Sequence, residues 1–327
     1  MIIACLNHLD TISRMTSPHE KFHQRYKGEL ILLLITLLWS ATFVIVKESL
    51  NNISSMLFVG FRFLIAGLIL LPIVIRKRIS FKNVNLKLPI ILGVLLFLGF
   101  ATQTIGLRFT SATKSAFLTG SAVIIIPILQ TIIERRKPKT GAVIGVVVVL
   151  VGILLLSGGN SFFTLLEDLV ANFNFGDGMT LLCAIFFALY VVYLDILSSK
   201  YNFWLLLIIQ ITVVSILAFV SAFLFQSVNF EAIKIDFTSQ LGFGILYTAI
   251  FATLVTTALQ TKYQNLVTPT KAGIVYSFEP IFAAVIAYIA IGEKITTFGF
   301  IGATLIFIGL IISEVFDEVK NKIFDKH

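Results

Sequence analysis

Between Gly141 and Ser157 the chain reads GAVIGVVVVLVGILLLS, an uninterrupted apolar run without a charge. A bilayer core about 30 Å thick takes about 20 helical residues at 1.5 Å rise each. Nine further runs of this kind follow the same rule, bounded by charges or by Pro, Gly and Asn. The ten are Leu30–Lys47, Met56–Ile75, Leu88–Leu107, Ser115–Ile133, Gly141–Ser157, Gly178–Leu197, Phe203–Phe225, Leu241–Thr261, Ala272–Ile291 and Thr297–Ser313. Lipid offers no partner to a free backbone N–H or C=O, so each run is expected to be a helix. A barrel needs strands of about ten residues with alternating hydrophobicity, and Ile31–Leu38 and Val146–Leu156 do not alternate.

The whole composition agrees. Of 327 residues 57% are hydrophobic and 13% charged, with a mean hydropathy of +0.98. A soluble domain carries about 25% charged residues, so a soluble enzyme, a coiled coil and a disordered chain are all excluded. The net charge of +8 would suggest nucleic acid in a soluble protein. Its distribution gives another reading. With the N-terminus inside, 19 Lys and Arg fall in cytoplasmic segments and 5 outside, with Arg62 within a span. By the positive-inside rule both termini are cytoplasmic and no nucleic acid is expected. The expectation is an all-α polytopic membrane protein, multi-pass in the plasma membrane (in a bacterium, the inner membrane). The first 28 residues lack the apolar core of a signal peptide and read as a polar tail, with Met15 as an alternative start. Residues 315–327 form a second tail. Cys5 and Cys183 make neither a disulfide framework nor a metal site.

The second half repeats the first. A shift of 157 residues lays spans three to five on spans eight to ten, setting Gln103 on Gln260, Gly145 on Gly302 and Gly152 on Gly309. A shift of 148 relates spans one and two to six and seven, setting Arg62 on Gln210. The repeats are 29–157 and 178–314, joined by a linker over 158–177. Five helices per repeat is an odd number, so the second copy enters the membrane from the other side. Such inverted repeats belong to transporters that alternate access; a duplication that only stabilised a bundle is the bland alternative. The linker reads equally as a short interfacial helix or a plain loop.

Three runs carry a resemblance. Leu37-Leu38-Trp39-Ser40-Ala41-Thr42-Phe43, Gln103-Thr104-Ile105-Gly106-Leu107-Arg108-Phe109-Thr110-Ser111-Ala112, and Phe278-Glu279-Pro280-Ile281-Phe282-Ala283-Ala284 with Gly292-Glu293 resemble EamA-type transporters of the drug/metabolite transporter superfamily. Together they cover residues 29–314. The resemblance implies ten helices in two repeats around a central cavity, alternating access and export. Family members move amino acids, other metabolites, nucleotide-sugar-like molecules or drugs. One departure stands out: Arg135-Arg136 occupies the place equivalent to Gly292-Glu293.

Polar residues inside the spans are the candidate site. Glu279 is the only acidic residue near the middle of a span, where a carboxylate costs about 2.5–3.5 kcal/mol on insertion scales. Beside it Pro280 is expected to kink the ninth span and free a carbonyl. Glu279 then binds an amine or carries a proton, or is a structural group at the kink. Gly273, Tyr276, Pro280, Ala283 and Ala287 share a face, matched across the repeat by Ala116, Thr119, Val123, Ile126 and Gln130. Gln103 and Gln260 either glue helices or touch solute. Trp39, Tyr190 and Tyr193 either stack on solute or pack. Arg62 pairs with Glu48 or Asp177, snorkels outward, or meets a substrate carboxylate. Gly141, Gly145, Gly152, Gly302 and Gly309 read as packing faces of spans five and ten.

All four His residues lie in the terminal segments, and no Gly-x-x-x-x-Gly-Lys-Ser/Thr loop occurs. No cofactor, no metal and no catalytic group is expected. The leading reading is a secondary transporter, an exporter of small metabolites such as amino acids or amphipathic compounds, with protons or nothing as coupling ion, acting as monomer or homodimer. An uncoupled facilitator or importer is the alternative, and a membrane-embedded lipid-modifying enzyme a more distant one.

Overall fold

The computed structural model describes residues 18–79, 81, 84–157, 173–291 and 297–324. The alternative start at Met15, most of the linker and Gly292-Glu293 lie outside them. Among the described residues every regular element is a helix, apart from one isolated bridge between Ile53 and Ile235.

Helix α1 (Pro18–Ser40) and α2 (Thr42–Ser49) are separated by a turn at Ala41. Then come α3 (Ser55–Arg76), α4 (Lys87–Phe109), α5 (Ala112–Gly120), α6 (Ala122–Glu134) and α7 (Thr140–Ser157). The second half holds α8 (Phe175–Ser198), α9 (Phe203–Ser227) and α10 (Ser239–Ala249). A π-helical turn (Ile250–Val255) leads into α11 (Thr256–Tyr263), and α12 (Pro269–Tyr276), α13 (Glu279–Ile291) and α14 (Thr297–Phe324) complete the chain. Among the described residues seven stretches are long and apolar enough to cross a membrane, and Thr140–Leu156 and Thr297–Ser313 are shorter apolar helices. The chain is therefore an all-helical polytopic membrane protein.

Helix starts follow local chemistry. The Asn174 side chain accepts from the Asp177 amide while the Asp177 carboxylate accepts from the Asn174 amide, a complete capping box at α8. Asn202, Thr238 and Ser111 cap α9, α10 and α5 through their side-chain oxygens. Two segments expected as polar tails are partly helical: α1 begins at Pro18, with Pro at its first turn, and α14 runs on to Phe324. Helix α6 ends at Arg135 with φ 56°, in the left-handed region. The 157-residue shift sets Arg135 on Gly292, and glycine takes that conformation without steric cost.

Burial is arranged for lipid. Leu68, Val147, Phe223 and Phe300 stand exposed on the outside of the bundle, while Ser40, Arg62, Gln210, Thr253 and Gln260 are buried inside it. Helices α7 and α14 touch through glycine. A Cβ on Gly145 would lie 2.6 Å from the Gly309 carbonyl oxygen, and one on Gly152 would lie 2.7 Å from that of Gly302. Only glycine permits so close a backbone approach.

Polar bonds tie the two halves together at one end of the bundle. The buried Asp177 accepts from Lys114 at 2.8 Å, from the Thr110 hydroxyl at 2.6 Å and from the Asn174 amide at 2.9 Å. Glu231 accepts from the Ser55 amide at 2.7 Å and pairs with Arg108. Lys47 donates to the carbonyls of Leu107 at 2.6 Å and Thr110 at 2.8 Å, at the C-terminus of α4, where a cation is favoured.

Candidate functional site

Three helix interruptions converge on one cavity. At Ala41, at Ser121 and at Ser277-Phe278 the chain stops being α-helical. The last two are tightened turns: the Ser121 amide donates to Leu118 and the Phe278 amide to Val275, three residues back. Trp39 and Thr42 flank the first interruption, Gly120 and Ala122 the second, Tyr276 and Glu279 the third, and all six line the cavity. About 800 Å³ of space free of atoms lies within its outline, part of it open to solvent.

The ninth expected span differs from its sequence reading. The helix is distorted over Ser277-Phe278, directly before Pro280. Pro280 sits at the second residue of α13, after a tightened two-residue turn, where a missing N–H costs little. Glu279 is consequently the first residue of that helix and not a mid-helix residue. Its carboxyl faces the cavity half-buried. Among the described residues no hydrogen bond or ion pair reaches it, and no other charged side chain lines the cavity.

Around this carboxyl the wall is aromatic and amide. The Trp39 and Tyr276 rings lie 5.5 Å apart, and Phe100 meets Phe187 edge-on at 5.2 Å. Gln260 Nε2 donates to the Tyr276 hydroxyl at 2.9 Å, which itself donates to Gln264 Oε1 at 2.8 Å. The Tyr190 hydroxyl donates to Gln210 Oε1 at 2.6 Å. Both tyrosines line the cavity with their hydroxyls held by neighbouring amides.

The structure brings Glu279, Tyr276, Gln103, Gln260, Trp39, Tyr190 and Thr119 onto this one wall, with Gly273, Val123 and Ile126. It does not bring Pro280, Ala283, Ala116 or Tyr193 there. Gln130 is engaged elsewhere, its Oε1 accepting from the Thr270 amide at 3.1 Å and hydroxyl at 2.6 Å. Ala287 lies outside the described side chains. Gly99 and Gly106 are helix contacts, against Phe187 and against Gly176 with Thr180.

Arg62 meets none of the partners that its sequence position suggests. It donates from Nε to the Thr253 hydroxyl at 2.8 Å and from Nη2 to the Ala252 carbonyl at 3.1 Å. Asp177 is taken by Lys114. Phe100 and Phe187 are wall residues that sequence reasoning missed, since one aromatic among 31 phenylalanines carries no distinguishing mark. The π-helical turn was equally hidden, for Ile250–Val255 reads as ordinary apolar helix.

Known proteins resemble the chain along most of its length. An uncharacterized transporter of Archaeoglobus fulgidus is 31% identical over 289 residues, 88% of this chain and 86% of that relative. The uncharacterized transporter YoaV of Bacillus subtilis is 25% identical over 292 residues, 86% of this chain and 94% of its own. A solved crystal structure superposes with a TM-score of 0.71 at 15% identity, over 89% of this chain and 97% of that one, a likeness of fold. The model of the EamA-like transporter family matches twice, over residues 26–158 and 174–314. With both matches spanning the helices that build the cavity, the chain belongs to the EamA-like transporter family, part of the drug/metabolite transporter superfamily.

Proposed function

We propose that this membrane protein is a secondary exporter of small metabolites that bear an amine and an apolar or aromatic body, working by alternating access. One observation carries the reading: a single unpartnered carboxyl, Glu279, stands in an aromatic cavity where three helices are interrupted. Interrupted helices at a central site are a transporter device, because their free backbone groups and flexible joints serve both binding and movement. In this reading ten spans form two inverted repeats, 29–157 and 178–314, with both termini cytoplasmic in a plasma membrane, bacterial inner membrane included. The 19-to-5 split of basic residues supports the orientation. Glu279 pairs with the substrate ammonium group. Trp39, Tyr276 and Tyr190 stack on its body, and Gln103, Gln260 and Thr119 meet its polar edges.

Protons are the proposed coupling ion. An uncoupled facilitator is the second reading, because Glu279 is the only carboxyl or imidazole on the lining and has no relay partner there. Proteoliposome flux of amines and amino acids, measured against internal and external pH, separates the two. Glu279→Gln is expected to abolish the pH dependence and reduce uptake of cationic solutes at least tenfold, the loss of one charge-assisted hydrogen bond. Unchanged flux and pH profile in this variant refutes both the amine contact and the coupling.

A further inference from the structure

Arg62 is a cation enclosed in the middle of the protein. It is 2% exposed, and no carboxylate among the described residues pairs with it. An ion so placed must be satisfied by fixed dipoles, since nothing else offsets its lost hydration. Its partners are the Thr253 hydroxyl and the Ala252 carbonyl, with the Phe100 ring 4.5 Å and the Phe63 ring 5.5 Å from the guanidinium carbon.

The Ala252 carbonyl is within reach because the helix is wound wider there. The Thr256 amide donates to Phe251 and Thr253, skipping the Ala252 carbonyl four residues back. The Trp39 indole N–H is shared between that carbonyl, at 3.3 Å, and the Thr256 hydroxyl, which also accepts it, at 3.2 Å. One backbone oxygen thus joins a buried arginine on α3 to an aromatic residue of the cavity wall. The equivalent place in the other half lacks the device. Gln210, which the 148-residue shift sets on Arg62, packs against Gly93 of α4, and α4 is a regular helix there. The π-turn occurs where the arginine is and not where the glutamine is.

We propose that Arg62 is a positioning residue: it holds the π-helical turn open, so that the Ala252 carbonyl and the Thr256 hydroxyl at its end together fix the Trp39 indole at the cavity wall. Its bearing on transport rests on the function proposed above; the positioning itself does not. An ordinary intramolecular hydrogen bond favours one arrangement over others by about two- to tenfold. Loss of the Arg62 contacts therefore frees the indole to a measurable degree.

The chain has two tryptophans, Trp39 and Trp204. Trp204→Phe makes Trp39 the sole emitter in the full-length protein, purified in detergent. Into that background go Arg62→Lys, Arg62→Gln and Thr253→Val. For both Arg62 variants, with far-UV circular dichroism unchanged, the expected result is a shifted Trp39 emission maximum and an acrylamide quenching constant raised about twofold or more. Thr253→Val, which keeps the contact to Ala252, is expected to move both signals less and in the same direction. Parental emission and quenching in the folded Arg62 variants overturn the proposal. If those variants do not fold, a parental signal in Thr253→Val overturns it. Fluorescence is read without substrate, so absence of flux refutes the transport reading alone, and an unmoved Trp39 refutes the positioning role alone.

Discussion

Replacing Asp177 by alanine removes the centre of the polar cluster that joins the two halves. The carboxylate is fully buried and holds Lys114 at 2.8 Å, the Thr110 hydroxyl at 2.6 Å and the Asn174 amide at 2.9 Å. Removing this acceptor takes a bond from the partly buried Lys114 ammonium, the Thr110 hydroxyl and the Asn174 amide, at a cost of about 1–3 kcal/mol. The capping box of α8 disappears as well, worth about 1 kcal/mol. Asp177→Asn keeps one acceptor and is expected to recover about 1–2 kcal/mol of the loss. Lys114→Met is milder, since Asp177 keeps its hydroxyl and amide donors. The double variant Asp177→Ala/Lys114→Met should be destabilised by less than the sum of the two single variants, with a coupling of about 1–3 kcal/mol. Equilibrium unfolding by SDS titration in mixed micelles, followed by circular dichroism, measures all four proteins. Additivity within about 0.5 kcal/mol refutes the reasoning, for it means that the pair stores no interaction energy.

Three further outcomes are expected from the same assay or from flux. Gly152→Val forces α7 and α14 apart, since a Cβ there lies 2.7 Å from the Gly302 carbonyl oxygen; a loss of about 1–3 kcal/mol is expected. Arg135→Gly relieves a left-handed residue at φ 56° and should raise stability by about 0.5–1 kcal/mol. Tyr276→Phe removes the hydroxyl between Gln260 and Gln264. It should cost about 1–3 kcal/mol for the partners left unmet and weaken solute binding as Gln260 loses its anchor. Unchanged unfolding and flux in Tyr276→Phe removes that hydroxyl from any supporting role.

Apolar runs made the helices legible because the bilayer imposes length and composition together. The runs beginning at Met56, Leu88 and Phe203 each coincide with a helix that starts within one residue of the expected boundary. The interruptions were not legible to the same degree. Ala41 itself carries no breaker chemistry, but the hydroxyls of Ser40 and Thr42 on either side donate back to the Leu37 and Trp39 carbonyls, a contact that bends helices. Pro280 announced a distortion, but sequence could not say whether the chain bends or restarts. The candidate wall was partly visible, since Gln103 and Gln260 matched across the repeat and Glu279 stood alone. Arg62 was misread for a physical reason: its partner is a backbone carbonyl laid open by a wider helical turn, and a backbone group leaves no letter in the sequence.

The glycine contact between α7 and α14 has a geometrical property of its own. The 157-residue shift turns Gly145 into Gly302 and Gly152 into Gly309. Applied as an exchange of the two halves, it converts the Gly145–Gly309 contact into the Gly302–Gly152 contact, which is also present. The seam is therefore its own mirror under the exchange, like an isologous interface within a single chain. A motion that swaps the shapes of the two halves must leave such a seam as it finds it. Under the alternating access proposed above, these two helices act as the stator, and the parts that turn are those hung from it, Glu279 among them.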